Sequence, residues 1–373
     1  MQNPSTFRGK LMTEFSQKQE RIRQLLEQNR LDALLLQRVS SFAWATCGAA
    51  DYVNTASTYG TASLLITKKQ HYLITNNIEA PRLENEEKLK YQGWEFHVTP
   101  WHAENNPLDT LTKGLKLGAD TLYPGAKDLS NEIARLRAML TPEEGVRMRV
   151  LGRLCAEAMD HAIRAVRPGW TEHQIAAHIS LENRSRGVHP IVNLVATDER
   201  ISAFRHPLPT YKSLERYAML VVCGRRWGLV CSLSRLVHFG KLPDELRRKA
   251  DAVARVDAAY IHATRPGRTV GQVLQYGLNA YSSVGFADEW KLHHQGGAAG
   301  YEPREFLARI TSPEVIMMGQ AYAWNPSITG AKSEDTIQVG EDQNEVVTSI
   351  AGWPMIEVEI EGQTYARPAI LEQ

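Results

Sequence analysis

The period of the hydrophobic positions changes along this chain, and each change marks an element. From Glu14 to Asn29 the apolar residues Phe15, Ile22, Leu25 and Leu26 share one helical face with charges opposite, which predicts an amphipathic helix. "LDALLLQ" (Leu31–Gln37) and "ASLLIT" (Ala62–Thr67) are short apolar runs of strand length. "HYLIT" (His71–Thr75) follows the second across a Lys-Lys-Gln turn, so these two should form a hairpin. Residues 14 to about 125 therefore read as an α/β domain with strands and helices intermixed.

A second region opens with "LTPEEGVRMRVLGRLCAEAMDHAIRAVRPG". Thr141 suits an N-cap, Pro142 the first helical position, Glu144 completes a capping box, and Pro168-Gly169 ends the helix. We place the boundary between about 125 and 140, giving domains of residues 1–135 and 136–373. Within the second region "RPGWTEHQIAAHISLENRSRG" (Arg167–Gly187) aligns without a gap on "RPGRTVGQVLQYGLNAYSSVG" (Arg265–Gly285). Each copy follows a long helical stretch, the later one running from about Pro243 to Thr264. Matching punctuation at both ends of both copies points to an internal duplication, with a cleft between its halves.

Charge narrows the function. The 43 Lys and Arg nearly cancel the 42 Asp and Glu and are dispersed, which argues against a nucleic-acid groove. No apolar run is long enough to span a membrane and the first thirty residues are polar, so neither a span nor a signal peptide is expected, and a cytoplasmic location is. The four cysteines include no Cys-x-x-Cys pair, which fits reduced thiols.

Four segments carry candidate chemistry: "FRHPLP" (Phe204–Pro209), "MLVVCGRRWGLVCSLSRLVHFG" (Met219–Gly240), "HHQGGAAGYEPRE" (His293–Glu305) and "WNPSITGAKSEDT" (Trp324–Thr336). With the duplication, their order and spacing resemble the pita-bread family of prolidase, aminopeptidase P, methionine aminopeptidase and creatinase. The resemblance implies an α/β (α+β) protein: an N-terminal creatinase/prolidase-like α/β domain followed by a duplicated pita-bread domain. It covers about residues 14 to 370 and also implies a homodimer acting on a small-molecule substrate.

The family's peptidases hold two metal ions with two Asp, one His and two Glu. By the resemblance those positions are here Cys223, Ser232, Gly297, Asn325 and Glu334, and only Glu334 is a family ligand. No metal and no other cofactor is therefore expected. A replacement zinc site from Cys223 and Cys231 with His293 or His294 lacks the usual short ligand spacing. A phosphate loop at Gly296-Gly297 lacks the accompanying lysine.

Creatinase, which works without metal, offers the closer comparison. His206 falls at its principal catalytic histidine, His293 at a second active-site histidine, and Arg304 at an arginine that binds the substrate carboxylate. Guanidinium suits that task because it grips a carboxylate bidentately and stays charged. Glu334, Asn325, Ser232, Cys223 and His294 complete the candidate substrate-binding set, although His294 should face away from His293 if the segment is a strand. Ser232 and Asn325 are neutral where creatinase holds a guanidinium with carboxylates, so the expected substrate is a less cationic amide, amidine or cyclic derivative. The alternatives are an inactive Xaa-Pro peptidase homologue that binds a peptide or metabolite, and an atypical Xaa-Pro dipeptidase or aminopeptidase that retains a metal.

Overall fold

A computed structural model describes residues 13–373, which divide into two compact units, one ending at Ile133 and the other Ala134–Gln373. The first twelve residues of the expected N-terminal domain lie outside the described residues. In the first unit the helix Glu14–Asn29 starts on Thr13, whose hydroxyl accepts the Ser16 N–H, and buries Ile22, Leu25 and Leu26. The following strand is Ala33–Arg38, two residues later than Leu31, because Leu31 N–H still closes the helix end on the Leu26 carbonyl. Its Ala33, Leu34, Leu35 and Leu36 are fully buried; both faces are covered, which is why the run is continuously apolar instead of alternating.

That strand pairs antiparallel with Tyr59–Thr67 and parallel with Leu117–Ala119. Tyr59–Thr67 pairs antiparallel with His71–Asn76, the predicted hairpin, and His71–Asn76 runs parallel to Glu95–Thr99. With Lys127–Asp128 at the far edge, this is one mixed six-stranded sheet.

The second unit repeats one plan twice. The helix Pro142–Ala165 carries the predicted capping box, with Thr141 and Glu144 bonded reciprocally. Helices Glu172–Ser185 and Val270–Ser283 then begin on identical capping boxes, Thr171 with Gln174 and Thr269 with Gln272. The Arg-Pro-Gly turns before them place Gly169 at φ 88° and Gly267 at φ 87°, a left-handed conformation that favours glycine. The long partner helices, Pro142–Ala165 and Asp244–Ala263, end in the same register relative to each copy, so the sequence echo is a structural repeat.

Each half contributes a sheet. In the first, Tyr217–Arg226 lies between His189–Thr197 and Leu229–His238. In the second, Ala321–Trp324 lies between Gly296–Ala299 and Asp335–Gln338. The sheets meet at an antiparallel bridge between Ser234 and Glu334. Behind it Asp335 bonds Arg235 at 2.9 Å and Arg367 at 2.6 Å, and Arg367 Nε bonds Asp257 at 2.8 Å, all four residues being buried. Burial pushes the Asp257 carboxyl up while Arg367 pulls it down. A buried ionic network of this kind costs desolvation, but it fixes the backbone that carries Glu334.

Candidate functional site

Three histidines converge from two segments. His206 stands in the loop after the short helix Glu199–Ala203; His293 and His294 follow the 3-10 turn Glu289–Leu292. Arg205, next to His206, bonds Glu289 at 2.6 Å and Thr329 at 2.9 Å and so ties the two segments together. His206 Nε2 and His293 Nε2 lie 3.0 Å apart, a hydrogen bond in which one ring donates and the other accepts. Gln295 holds the His293 carbonyl at 2.7 Å and is itself bonded to the Tyr281 hydroxyl at 2.8 Å.

His294 does not face away from His293. The two residues lie outside any strand, so their side chains do not alternate; their rings are 4.6 Å apart between centroids, and the His294 ring is 5.7 Å from that of His206. His206 is exposed, His294 half-buried and His293 buried. Burial, then the positive charge of Lys332, lowers His293 to about 2. Burial, then Arg304, lowers His294 to about 4, and His206 is lowered by burial and Lys332. All three rings are therefore neutral near pH 7.

Beside them lies a charged group. Glu334 is 2% exposed, and its two oxygens meet Arg304 Nη2 at 3.1 Å and Lys332 Nζ at 2.7 Å. Ser234 Oγ donates a third bond at 2.5 Å. Burial opposes ionisation of Glu334, but Lys332 and Arg304 outweigh it and hold the carboxyl at about 2. Arg304 Nη1 also donates to Ser232 Oγ at 3.1 Å, and Ser232 Oγ contacts Cys223 Sγ at 3.2 Å across the paired strands.

These residues do not fit a pair of divalent ions, which need several anionic oxygen donors. Burial raises the Cys223 thiol to about 11, so it stays protonated. Cys231 points to the opposite face of its strand from Ser232 and shares a thiol hydrogen bond with Cys155, which removes the Cys223–Cys231 zinc arrangement. Glu334 is already neutralised by two protein cations. At Gly297 a Cβ would lie 2.1 Å from the Phe306 carbonyl oxygen, so the strand has closed where the resemblance places a ligand histidine. Asn325 Oδ1 is buried without a hydrogen-bond partner, while its backbone N–H bonds the Gln295 carbonyl at 3.2 Å.

The structure thus gathers His206, His293 and His294 in one group and Arg304, Glu334, Ser232 and Cys223 in another, coupled through Lys332. Lys332 and Ser234 escaped the sequence reading. Each sits two residues from a recognised position, Glu334 and Ser232, and two-residue spacing on extended backbone returns a side chain to the same face. The recess against His293 and Lys332 has a volume of about 10 Å³, room for about one water. A cavity of about 650 Å³ between the helices Asp244–Ala263 and Val270–Ser283 and the strand Met355–Ile360 contains none of these groups. Convergent titratable side chains locate the candidate site better than size does.

A duplicated helix-and-sheet unit with its polar residues gathered where the two sheets meet defines a pita-bread protein. The sequence pattern of metallopeptidase family M24 matches residues 146–342, and the chain belongs to that family. It is 24% identical over 248 residues to the Xaa-Pro dipeptidase of Lactobacillus delbrueckii subsp. lactis, a match covering 63% of this chain and 66% of that one. It is 26% identical over 168 residues to the agropine synthesis cyclase of Rhizobium rhizogenes, covering 42% of each chain. Among solved structures, the Xaa-Pro dipeptidase from Bacillus anthracis superposes with a TM-score of 0.77 at 20% identity, covering 96% of this chain and 100% of that chain. That likeness establishes the fold alone. Among the described residues no helix is long and apolar enough to cross a membrane.

Proposed function

We propose that this protein hydrolyses a carbon–nitrogen bond in a small carboxylate-bearing molecule, an amide, amidine or cyclic amino-acid derivative, without a metal pair. The observation that carries the reading is the 3.0 Å contact between His206 Nε2 and His293 Nε2 beside a carboxylate neutralised by two cations. Histidine is the side chain suited to both giving and taking a proton near neutrality.

In this scheme the exposed His206 takes a proton from water as the water oxygen attacks the substrate carbon. The tetrahedral centre collapses, the C–N bond breaks, and the same proton passes from the imidazolium to the leaving nitrogen. Lowered basicity favours that second transfer. His293 shares the proton at Nε2 and fixes the tautomer of His206. Arg304 and Lys332 carry two positive charges against the single negative charge of Glu334, leaving net positive potential for the substrate carboxylate. Asn325 Oδ1 and the ring of His294 offer hydrogen bonds to the remaining polar atoms, and Ser232 and Cys223 form the wall behind Arg304.

The reading takes a small substrate in preference to a peptide. The cyclase among the relatives supports the same conclusion, since ring closure and ring opening use the same acid and base in opposite directions. The dipeptidases among the relatives support a peptidase reading with a retained metal; the donor chemistry opposes it. An inactive binding homologue is the third outcome. A homodimer and a cytosolic location complete the proposal, the latter supported by cysteines that form no disulfide among the described residues.

The test is a turnover screen of chelator-treated protein against small amides, amidines and cyclic amino-acid derivatives. Turnover insensitive to chelator and abolished in a folded His206→Ala variant is the expected result. Turnover that appears only after manganese is added defeats the reading, and so does unchanged activity in that variant.

A further inference from the structure

We propose that His206, His293 and His294 together bind one zinc ion, at a place separate from the oxygen-donor positions around Glu334. One ring nitrogen from each residue lies within 4.8 Å of the others. In a tetrahedral zinc site with metal–nitrogen bonds of about 2.0–2.1 Å, ligand nitrogens are about 3.3 Å apart. The His206–His293 pair, at 3.0 Å, is already close to that spacing, and a rotation of the less buried His294 ring closes the remainder.

A second observation is independent of the spacing. Nδ1 of His294 is buried with no hydrogen-bond partner, so a ring nitrogen is present that the fold does not use. A buried polar atom left unpaired is costly, and a ligand that engages it recovers part of that cost. Exposed His206 gives the ion a path from solvent.

The donor set selects the metal. Three imidazoles without a carboxylate suit zinc and its soft neighbours, whereas manganese, magnesium and calcium demand oxygen. Three histidines also leave a fourth position open for water. Lys332 and Arg304 oppose a cation here and Glu334 favours one; each of the two cations is bonded to Glu334, so the residual repulsion is that of a single charge. The inference goes beyond the hydrolase reading and stands without it. If both hold, the ion and the transferred proton compete for the same lone pairs, and zinc inhibits turnover.

The experiment is calorimetric titration of metal-free, full-length protein with zinc alone, with cobalt absorption as a second readout of coordination. One ion per chain is expected. His294→Ala and His206→Ala should each weaken binding by at least about tenfold, while Asn325→Ala leaves it unchanged. Thermal unfolding of every variant confirms that the chain is folded, and exposed His206 is the position least able to disturb the core. Absence of zinc binding overturns the proposal. Binding that survives both histidine variants and is lost in Glu334→Gln also overturns it, because the ion would then sit at the family's old ligand positions. Neither readout depends on turnover, so failure here is distinct from failure of the hydrolase reading.

Discussion

On one side of the site His206, His293 and His294 are neutral, two of their nitrogens have no partner, and the outermost ring reaches solvent. On the other side the charged Glu334 and Lys332 are buried and Arg304 is half-buried, and both cations are bonded to Glu334. The charged side is backed by the Arg235, Asp335, Arg367 and Asp257 network, so its geometry is set by folding. The imidazole side is held by the Gln295 bond and by Arg205, which clamps Glu289 and Thr329. Groups whose valences the fold has consumed are scaffolding and fixed charge; groups it leaves unspent are available for chemistry.

Several substitutions would break or sharpen that contrast. The largest effect belongs to the imidazole side: His206→Ala should lower turnover by roughly 10²–10⁴-fold, the usual worth of a general acid–base, with little change in melting temperature. On the charged side Arg367→Met should destabilise the fold by about 3–5 kcal/mol, measured by urea unfolding, because it leaves Asp257 and Asp335 buried with a partner removed. A merely local defect with an unchanged unfolding midpoint would show that the network is not structural.

A third prediction concerns acid. His293 and His294 are held at about 2 and about 4 in the fold, below the ordinary 6.5 that they regain on unfolding. Between those limits the unfolded chain binds more protons, so their contribution to stability is complete above about pH 6.5 and is lost as the pH falls toward 4 and below. Melting temperature against pH should therefore slope downward on acidification, and less so in His293→Gln. The smallest effects are the caps: Thr171→Ala and Thr269→Ala should each cost about 1 kcal/mol, and by similar amounts, since the two copies use the same capping box.

Much of the scaffold was legible because it rests on local physics. Capping residues, Arg-Pro-Gly turns and apolar runs locate the helices Pro142–Ala165, Glu172–Ser185 and Val270–Ser283 without any knowledge of long-range contacts. The candidate histidines were legible only through the resemblance, since nothing within "FRHPLP" brings His206 to His293. What escaped was set by tertiary contact. The shared orientation of His293 and His294 depends on an irregular segment that no periodicity describes. The role of Lys332 depends on Arg304 reaching Glu334 from a distant turn. The closure over Gly297 depends on how tightly Phe306 approaches from the neighbouring strand.

Anomalous diffraction from crystals grown with manganese, a hard ion, tests the central claim most directly. With Arg304 and Lys332 already bonded to Glu334, no manganese should be found among Cys223, Ser232, Asn325 and Glu334. An ordered manganese ion there, with the Arg304 and Lys332 side chains displaced from Glu334, would contradict the account.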